Sequence, residues 1–148
     1  MEMRIRKFTE SDYQNLYDTI SDPEVMSYIE PPYSAEKTKD FLFKAGLCDN
    51  PQIFAAENDE GNYVGYVIYH DYDNHNIEIG WLLKRSEWGK GYAKKLTNMM
   101  IEQAKLEEKS VIIECSPEQL ITRHIAKSFG FKYQGEIDGC IIYRLQKE

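Results

Sequence analysis

The sequence is poor in cysteine, in proline, in long apolar runs and in positive charge. Its 148 residues include three cysteines and five prolines. Cys48, Cys115 and Cys140 are odd in number and far apart, and no C-x-x-C occurs. That argues against a disulfide framework and against a thiolate zinc site. No apolar run reaches the roughly 18 residues that a membrane-spanning helix needs. The opening Met1-Glu2-Met3-Arg4-Ile5-Arg6 lacks the apolar stretch of a signal peptide. Lys and Arg number 18 against 25 Asp and Glu, a formal charge of −7. Phosphate binding needs a basic stripe, so this balance speaks against nucleic acid as the main partner. It suits a cationic substrate such as an amine. These absences together describe a reduced, cytoplasmic protein with no membrane partner.

What is present is ordinary for a globular chain. Apolar residues make up 42% and charged residues 29%, too apolar for disorder. The length fits one domain, residues 1–148, with enough chain to bury a core. Met3 to Phe8 reads as a strand. Thr9 reads as a helix N-cap with acids in the first turn, followed by Tyr13, Leu16, Tyr17 and Ile20 on one face. Ser21-Asp22-Pro23 breaks that helix. Ser34 caps a second helix through about Leu47, with Phe41, Leu42 and Ala45 inward. Gln52 to Glu57, Tyr63 to His70 and Ile77 to Leu83 form a strand meander with short polar turns. Ala93, Leu96, Met100, Ile101 and Ala104 mark a helix from about Gly91 to Glu107. Val111 to Cys115 is a buried strand. A shorter helix, Glu118 to Phe129, carries Ile121, Ile125 and Phe129. Phe131 to Glu136 and Cys140 to Leu145 close with a hairpin. The order is βαα, a β meander, then αβαββ. It predicts an α/β class with a mixed sheet and one parallel βαβ unit.

The most informative stretch joins the third meander strand to the long helix: Trp81-Leu82-Leu83-Lys84-Arg85-Ser86-Glu87-Trp88-Gly89-Lys90-Gly91-Tyr92-Ala93-Lys94. The first turn of a helix has unpaired amides and a partial positive charge, and glycines let a ligand approach. That makes an anion cradle. Lys90, Lys94 and Lys95 add positive charge. A Walker loop, G-x-x-x-x-G-K-[ST], is absent. A dinucleotide fingerprint needs G-x-G-x-x-G, and Lys94 stands where the third glycine belongs, although Glu114 mimics its ribose-binding acid.

Trp88-Gly89-Lys90-Gly91-Tyr92-Ala93 resembles the coenzyme A pyrophosphate loop of the GNAT N-acetyltransferases, with Gly91 and Ala93 on its two small positions. Trp88 in place of the usual Gln or Arg resembles the RimJ/RimL branch. So do Ile5-Arg6-Lys7-Phe8-Thr9-Glu10-Ser11-Asp12 and Asp22-Pro23-Glu24-Val25-Met26. Glu78-Ile79-Gly80-Trp81 resembles the family's fourth strand, and Lys127-Ser128-Phe129-Gly130-Phe131 its last helix end. The resemblance covers essentially the whole chain. It implies a GNAT-like fold and an acetyl-CoA-dependent N-acetyltransferase, acting on a primary amine such as a protein N-terminus or a polyamine, as monomer or homodimer.

The resemblance also implies roles. Acetyl-CoA lies in a wedge between the fourth and fifth strands, its pantetheine on the backbone of Trp81 and Leu83. Its pyrophosphate meets Trp88, Gly89, Lys90, Gly91, Tyr92, Ala93 and Lys94. Gln119 takes the place of the family's asparagine. The amine must be neutral to attack, and a lysine-type amine with a pKa of about 10.4 resists this by roughly 4 kcal/mol at neutral pH. A carboxylate can take that proton. Glu114 and Glu78 are the two candidate bases. Glu78 counts one residue out of register with the family's base position, and on a regular strand one residue changes the face. The family's tyrosine acid falls on Ala126. Tyr92, Tyr133 and Tyr143 are its distant substitutes, and otherwise Ser116, Cys115 or water serves, or the thiolate leaves unassisted. Cys115 as a covalent acyl carrier is a further option. His70, His75 and His124 form no ligand pattern, so no metal is expected. Tyr28, Glu30 and Tyr33 offer rings and an acid to an ammonium acceptor, with Asp71, Tyr72 and Asp73 at the same mouth. The alternatives are a noncatalytic acyl-CoA-binding or sensing module and a dinucleotide-binding module.

Overall fold

The computed structural model of the chain describes residues 2–148. Seven strands form one sheet: β1 Arg4–Arg6, β2 Ile53–Glu57, β3 Tyr63–Asp71, β4 Asn76–Leu83, β5 Ser110–Cys115, β6 Lys132–Ile137 and β7 Cys140–Leu145. Four helices accompany it: α1 Tyr13–Ile20, α2 Ala35–Phe41, α3 Tyr92–Leu106 and α4 Leu120–Ser128. The strand order is β1-β2-β3-β4-β5-β7-β6. Among the described residues only β4 and β5 run parallel, and α3 carries the chain back from the end of β4 to the start of β5.

Alternation along the strands divides the core into two layers. Ile77, Ile79 and Leu83 of β4 and Val111, Ile113 and Cys115 of β5 pack under α3 and α4, against Leu96, Met100 and Ala126. Leu82 of β4, Tyr66 of β3 and Ala55 of β2 face the other way, under Leu16 and Ile20 of α1 and Leu42 after α2. Residues two apart share a face, so Glu78 and Gly80 stand on the α1/α2 side with Leu82, as does Glu114 of β5.

The structure departs from the sequence expectations in three places. Thr9 opens a short tight turn, Glu10–Asp12, before α1 begins. Asp12 is an acid of that first turn, as expected, and is a buried anchor there. It takes two hydrogen bonds from the Arg6 guanidinium, at 2.8 and 2.9 Å, and one from the Thr9 N–H at 2.9 Å. The helix that opens at the Ser34 cap widens after Phe41. Through Leu42–Gly46 the Leu47 N–H reaches back five residues to the Leu42 carbonyl, and Leu42 and Ala45 stay buried. Ile121 is not inward. It is 76% exposed and Leu120 beside it 69%, so the first turn of α4 overhangs the sheet with no partner.

Candidate active site

β4 and β5 part company early. Their pairing covers only Asn76–Glu78 against Ser110–Ile112. Beyond Glu78 β4 keeps its ladder to β3, and beyond Ile112 β5 keeps the ladder to β7 that runs from Val111 to Cys115. Which β4 groups face the resulting gap follows from the ladder. The Tyr72 N–H donates to the Asn76 carbonyl and the Lys84 N–H to the Val64 carbonyl, both at 2.9 Å. Hydrogen-bonded and non-bonded pairs alternate in an antiparallel ladder. The even-numbered residues of β4 therefore bond to β3, and the backbone of Ile79, Trp81 and Leu83 turns toward the gap. The Leu83 carbonyl is taken there by the Trp88 indole N–H at 3.1 Å. The Trp81 N–H and carbonyl and the Leu83 N–H remain directed into it.

Trp88 thereby ties the glycine loop to the end of β4. Gly89 and Gly91 have φ of 79° and 81°, and a Cβ on either would meet nothing within 4 Å. Their backbone conformation, not crowding, calls for glycine. Lys95 makes the first helical bond, to the Gly91 carbonyl, so the amides of Tyr92, Ala93 and Lys94 have no acceptor within α3. Lys90 pairs with Glu87 at 3.3 Å, and Arg85 holds Asp22 at 3.1 Å, which ties the loop to the turn after α1.

A cavity of about 110 Å³ continues the gap on the α1/α2 face, lined by Ile29, Ile68, Gly80, Glu114, Gln119 and Thr122, among others. The Gln119 side-chain oxygen accepts from the Ser116 N–H at 2.8 Å, which fixes the turn before α4. A larger cavity, about 520 Å³, lies on the opposite face between β1 and α3, walled by residues such as Phe54, Val67 and Met99. It is remote from the glycine loop and from both candidate glutamates, so size is the poorer guide.

Glu78 stands on the α1/α2 face without any bulge, because β3 and β4 pair regularly from Gly65–Leu83 to Asp71–Ile77. Its carboxylate lies 3.6 Å from the His70 imidazole and is mostly buried. Burial pushes its pKa up; the His70 charge lowers it and the Glu114 charge raises it again. The Tyr72 hydroxyl and the Cys140 thiol are raised as well, by burial first and then by the field of Glu114 and other acids, Glu78 among them. Glu78, Glu114, His70, Tyr72 and Cys140 thus share one electrostatic neighbourhood.

Cys115 belongs to the other face. It is buried under α3 and α4, and burial pushes its thiol up to about 11, which suits packing and not acyl transfer. Ala126 is fully buried in the same core. Tyr143 is buried there with its hydroxyl on Arg123, Tyr133 is exposed on β6, and Tyr92 packs at the start of α3. Ser116 gives its hydroxyl to Glu118. Tyr28, Glu30 and Tyr33 do not line the cavity of the gap. Tyr28 is 66% exposed in a left-handed conformation. The Tyr33 hydroxyl donates to Glu30 at 2.9 Å, its ring packs edge-on against Phe41, and Lys37 sits 4.2 Å above that ring. Burial and then Glu30 push the Tyr33 hydroxyl up to about 12.

Sequence reasoning missed Ile29, Thr122 and the His70–Glu78 pair. For the pair a signal existed: the two residues are equidistant from the centre of the polar turn at Asn74, as cross-strand partners in a hairpin must be.

A sequence model described as an acetyltransferase (GNAT) domain matches residues 2–132. The chain belongs to the GNAT acetyltransferase family. It is 30% identical over 142 residues to the uncharacterized N-acetyltransferase YnaD of Bacillus subtilis (strain 168), covering 93% of this chain and 83% of that protein. The fold is that of a GNAT-family acetyltransferase from Bacillus anthracis, with a TM-score of 0.86 at 24% identity over 99% of this chain and 95% of that one. It is also that of a spermidine N-acetyltransferase from Vibrio cholerae solved with CoA and spermine, with a TM-score of 0.78 at 22% identity over 96% and 92%. As a GNAT acetyltransferase the chain is an enzyme of acetyl transfer, and the family takes the acetyl group from acetyl-CoA. The free amides at the start of α3 and the β4 backbone turned into the gap fit the pyrophosphate and the amide-bearing arm of that donor.

Proposed function

We propose that the protein acetylates a primary amine that enters from the α1/α2 face, with Glu78 as the base. The observation that carries this reading is the position of Glu78: mostly buried, on the open face, at the last residue where β4 pairs with β5. A carboxylate whose pKa burial has raised is a better proton acceptor than a solvated one. Glu114, exposed on the neighbouring strand, adds a second negative charge that attracts an ammonium ion. Acetyl-CoA supplies the thioester carbonyl. The backbone of Trp81 and Leu83 and the amides from Gly89 to Lys94 hold it, and Gln119 borders the gap. The leaving thiol is a good leaving group, with a pKa near that of free cysteine, about 8.5, so it departs as thiolate without a tyrosine at Ala126. The acceptor in this reading is cationic: a polyamine, an amino sugar or a protein N-terminus.

The test is CoA release with acetyl-CoA and, in turn, spermidine, an aminoglycoside and a short peptide with a free α-amine. At least one supports turnover, and Glu78→Gln lowers kcat by roughly a hundredfold while acetyl-CoA still binds. An unchanged rate in Glu78→Gln, or acetyl-CoA binding with no turnover on any amine, overturns the reading.

A further inference from the structure

His70 has no role in the reading above, yet it is the group nearest the Glu78 carboxylate from β3. Its ring is oriented from both sides. Nδ1 lies 3.0 Å from the Asp71 carbonyl oxygen. A carbonyl can only accept, so Nδ1 carries the proton there. In the neutral ring this leaves Nε2 as a bare acceptor, and Nε2 is the atom that faces Glu78 Oε1 at 3.6 Å. The two side chains are about equally shielded, 25% and 23% exposed, so each keeps some contact with solvent.

We propose that His70 is a positioning residue that works through Glu78: it orients the carboxylate toward the acceptor and takes from it the proton that the amine gives up. The proposal rests on the reading of Glu78 as base. The bookkeeping of atoms closes. The ammonium gives one proton to Glu78, and its nitrogen lone pair forms the C–N bond to the thioester carbon as the C–S bond breaks. The nitrogen loses a second proton, and the leaving sulfur takes up one. Glu78 passes its proton to His70 Nε2, and the imidazolium releases it to water, so one proton leaves through the pair per turnover. The present 3.6 Å exceeds a hydrogen bond, and closing it takes about half an ångström.

The other groups in the field of Glu78 are Glu114 on β5, Tyr72 in the β3–β4 turn and Cys140 on β7. Arg144 on β7 is engaged elsewhere, its guanidinium donating to Asn76 and Ser110. His70 is therefore the one cation-forming group that these contacts place at Glu78. Removing it takes away the imidazolium charge that lowers the Glu78 pKa.

The test compares wild type with His70→Gln and His70→Asn by carbon-13 titration of the Glu78 carboxyl, a measurement that needs no acceptor. The Glu78 midpoint rises in both variants. With spermidine or whichever probe amine turns over, kcat falls roughly tenfold, the KM for acetyl-CoA holds, and the acidic limb of kcat/KM moves to higher pH. An unmoved Glu78 midpoint in a folded variant overturns the pairing. A moved midpoint with unchanged kcat and an unmoved limb overturns the relay. Failure of the base reading is separately visible, as unimpaired turnover in Glu78→Gln.

Discussion

Gly65 in β3 runs so close to Leu82 in β4 that a Cβ on it would overlap the Leu82 carbonyl oxygen and lie 2.7 Å from Leu83 Cα. The obstacle is backbone, which cannot rotate away. Gly65 sits opposite Leu83, the last residue of β4, and beside the register shift between Ala56 and Glu57. Gly65→Ala must push β4 aside at the edge of the gap. It is expected to cost about 2 kcal/mol by urea denaturation and to weaken acetyl-CoA binding. Wild-type stability would show that β4 yields freely.

Gly91 and Gly61 make a controlled pair. Both have φ near 80° and open space around a Cβ, but Gly61 lies in the β2–β3 turn, far along the chain from the loop. Alanine at either is expected to cost about 1 kcal/mol of stability from left-handed strain. Only Gly91→Ala should also weaken acetyl-CoA, measured by calorimetry. Equal affinities in the two variants would remove the α3 amides from the binding site.

Trp88 is 48% exposed, unusual for an indole with a merely structural task, and its one polar bond goes to Leu83. Trp88→Phe keeps an aromatic ring and removes the N–H together with the second ring of the indole. Its expected cost is about 1 kcal/mol of stability. It also releases the Leu83 carbonyl and loosens the loop, so acetyl-CoA affinity should drop several-fold. A drop in stability with unaltered affinity would limit Trp88 to a structural staple.

Acid stability depends on Asp12. Burial alone would raise its pKa, but Arg6, the Thr9 N–H and Asn15 outweigh that and hold it at about 2 against an ordinary 3.8. A carboxyl lowered on folding stabilises fully above its unfolded pKa, and the contribution disappears as pH falls through the folded one. The stake is about 2 kcal/mol, present above roughly pH 4 and lost toward pH 2. Asp12→Asn should be less stable at pH 7 and show a flatter profile between those limits. Parallel profiles would place the acid sensitivity elsewhere.

Glu114 acts on Glu78 through like charge. After burial, and against the lowering by His70, it is what raises the Glu78 pKa. Glu114→Gln should therefore move the acidic limb of kcat/KM to lower pH, opposite in sign to the His70 variants. It should also raise KM for a cationic acceptor. A collapse of kcat with no shift would instead make Glu114 the base.

The element order was legible because periodicity is local. Leu96, Met100, Ile101 and Ala104 mark α3, and the alternation of Ile77, Ile79 and Leu83 marks β4, whatever lies beyond them in space. The glycine loop was legible because its chemistry is carried by consecutive residues. Ile121 misled for the converse reason. Helical spacing specifies a face, but whether anything covers that face depends on where β5 and β7 end. The Thr9 cap and the acids after it were legible because they are neighbours in sequence, whereas the burial of Asp12 comes from packing.

By itself the sequence determined an acidic chain with a mixed α/β order and a two-glycine loop at the start of a helix, all of which follow from neighbours within a few turns. The tertiary structure alone decided where β4 and β5 separate, which backbone groups face that gap, and that Glu78 meets His70 on the open side of the sheet. Those outcomes depend on strand register. Register is set by turn geometry and by the burial of two whole faces at once, and no single stretch of residues contains it.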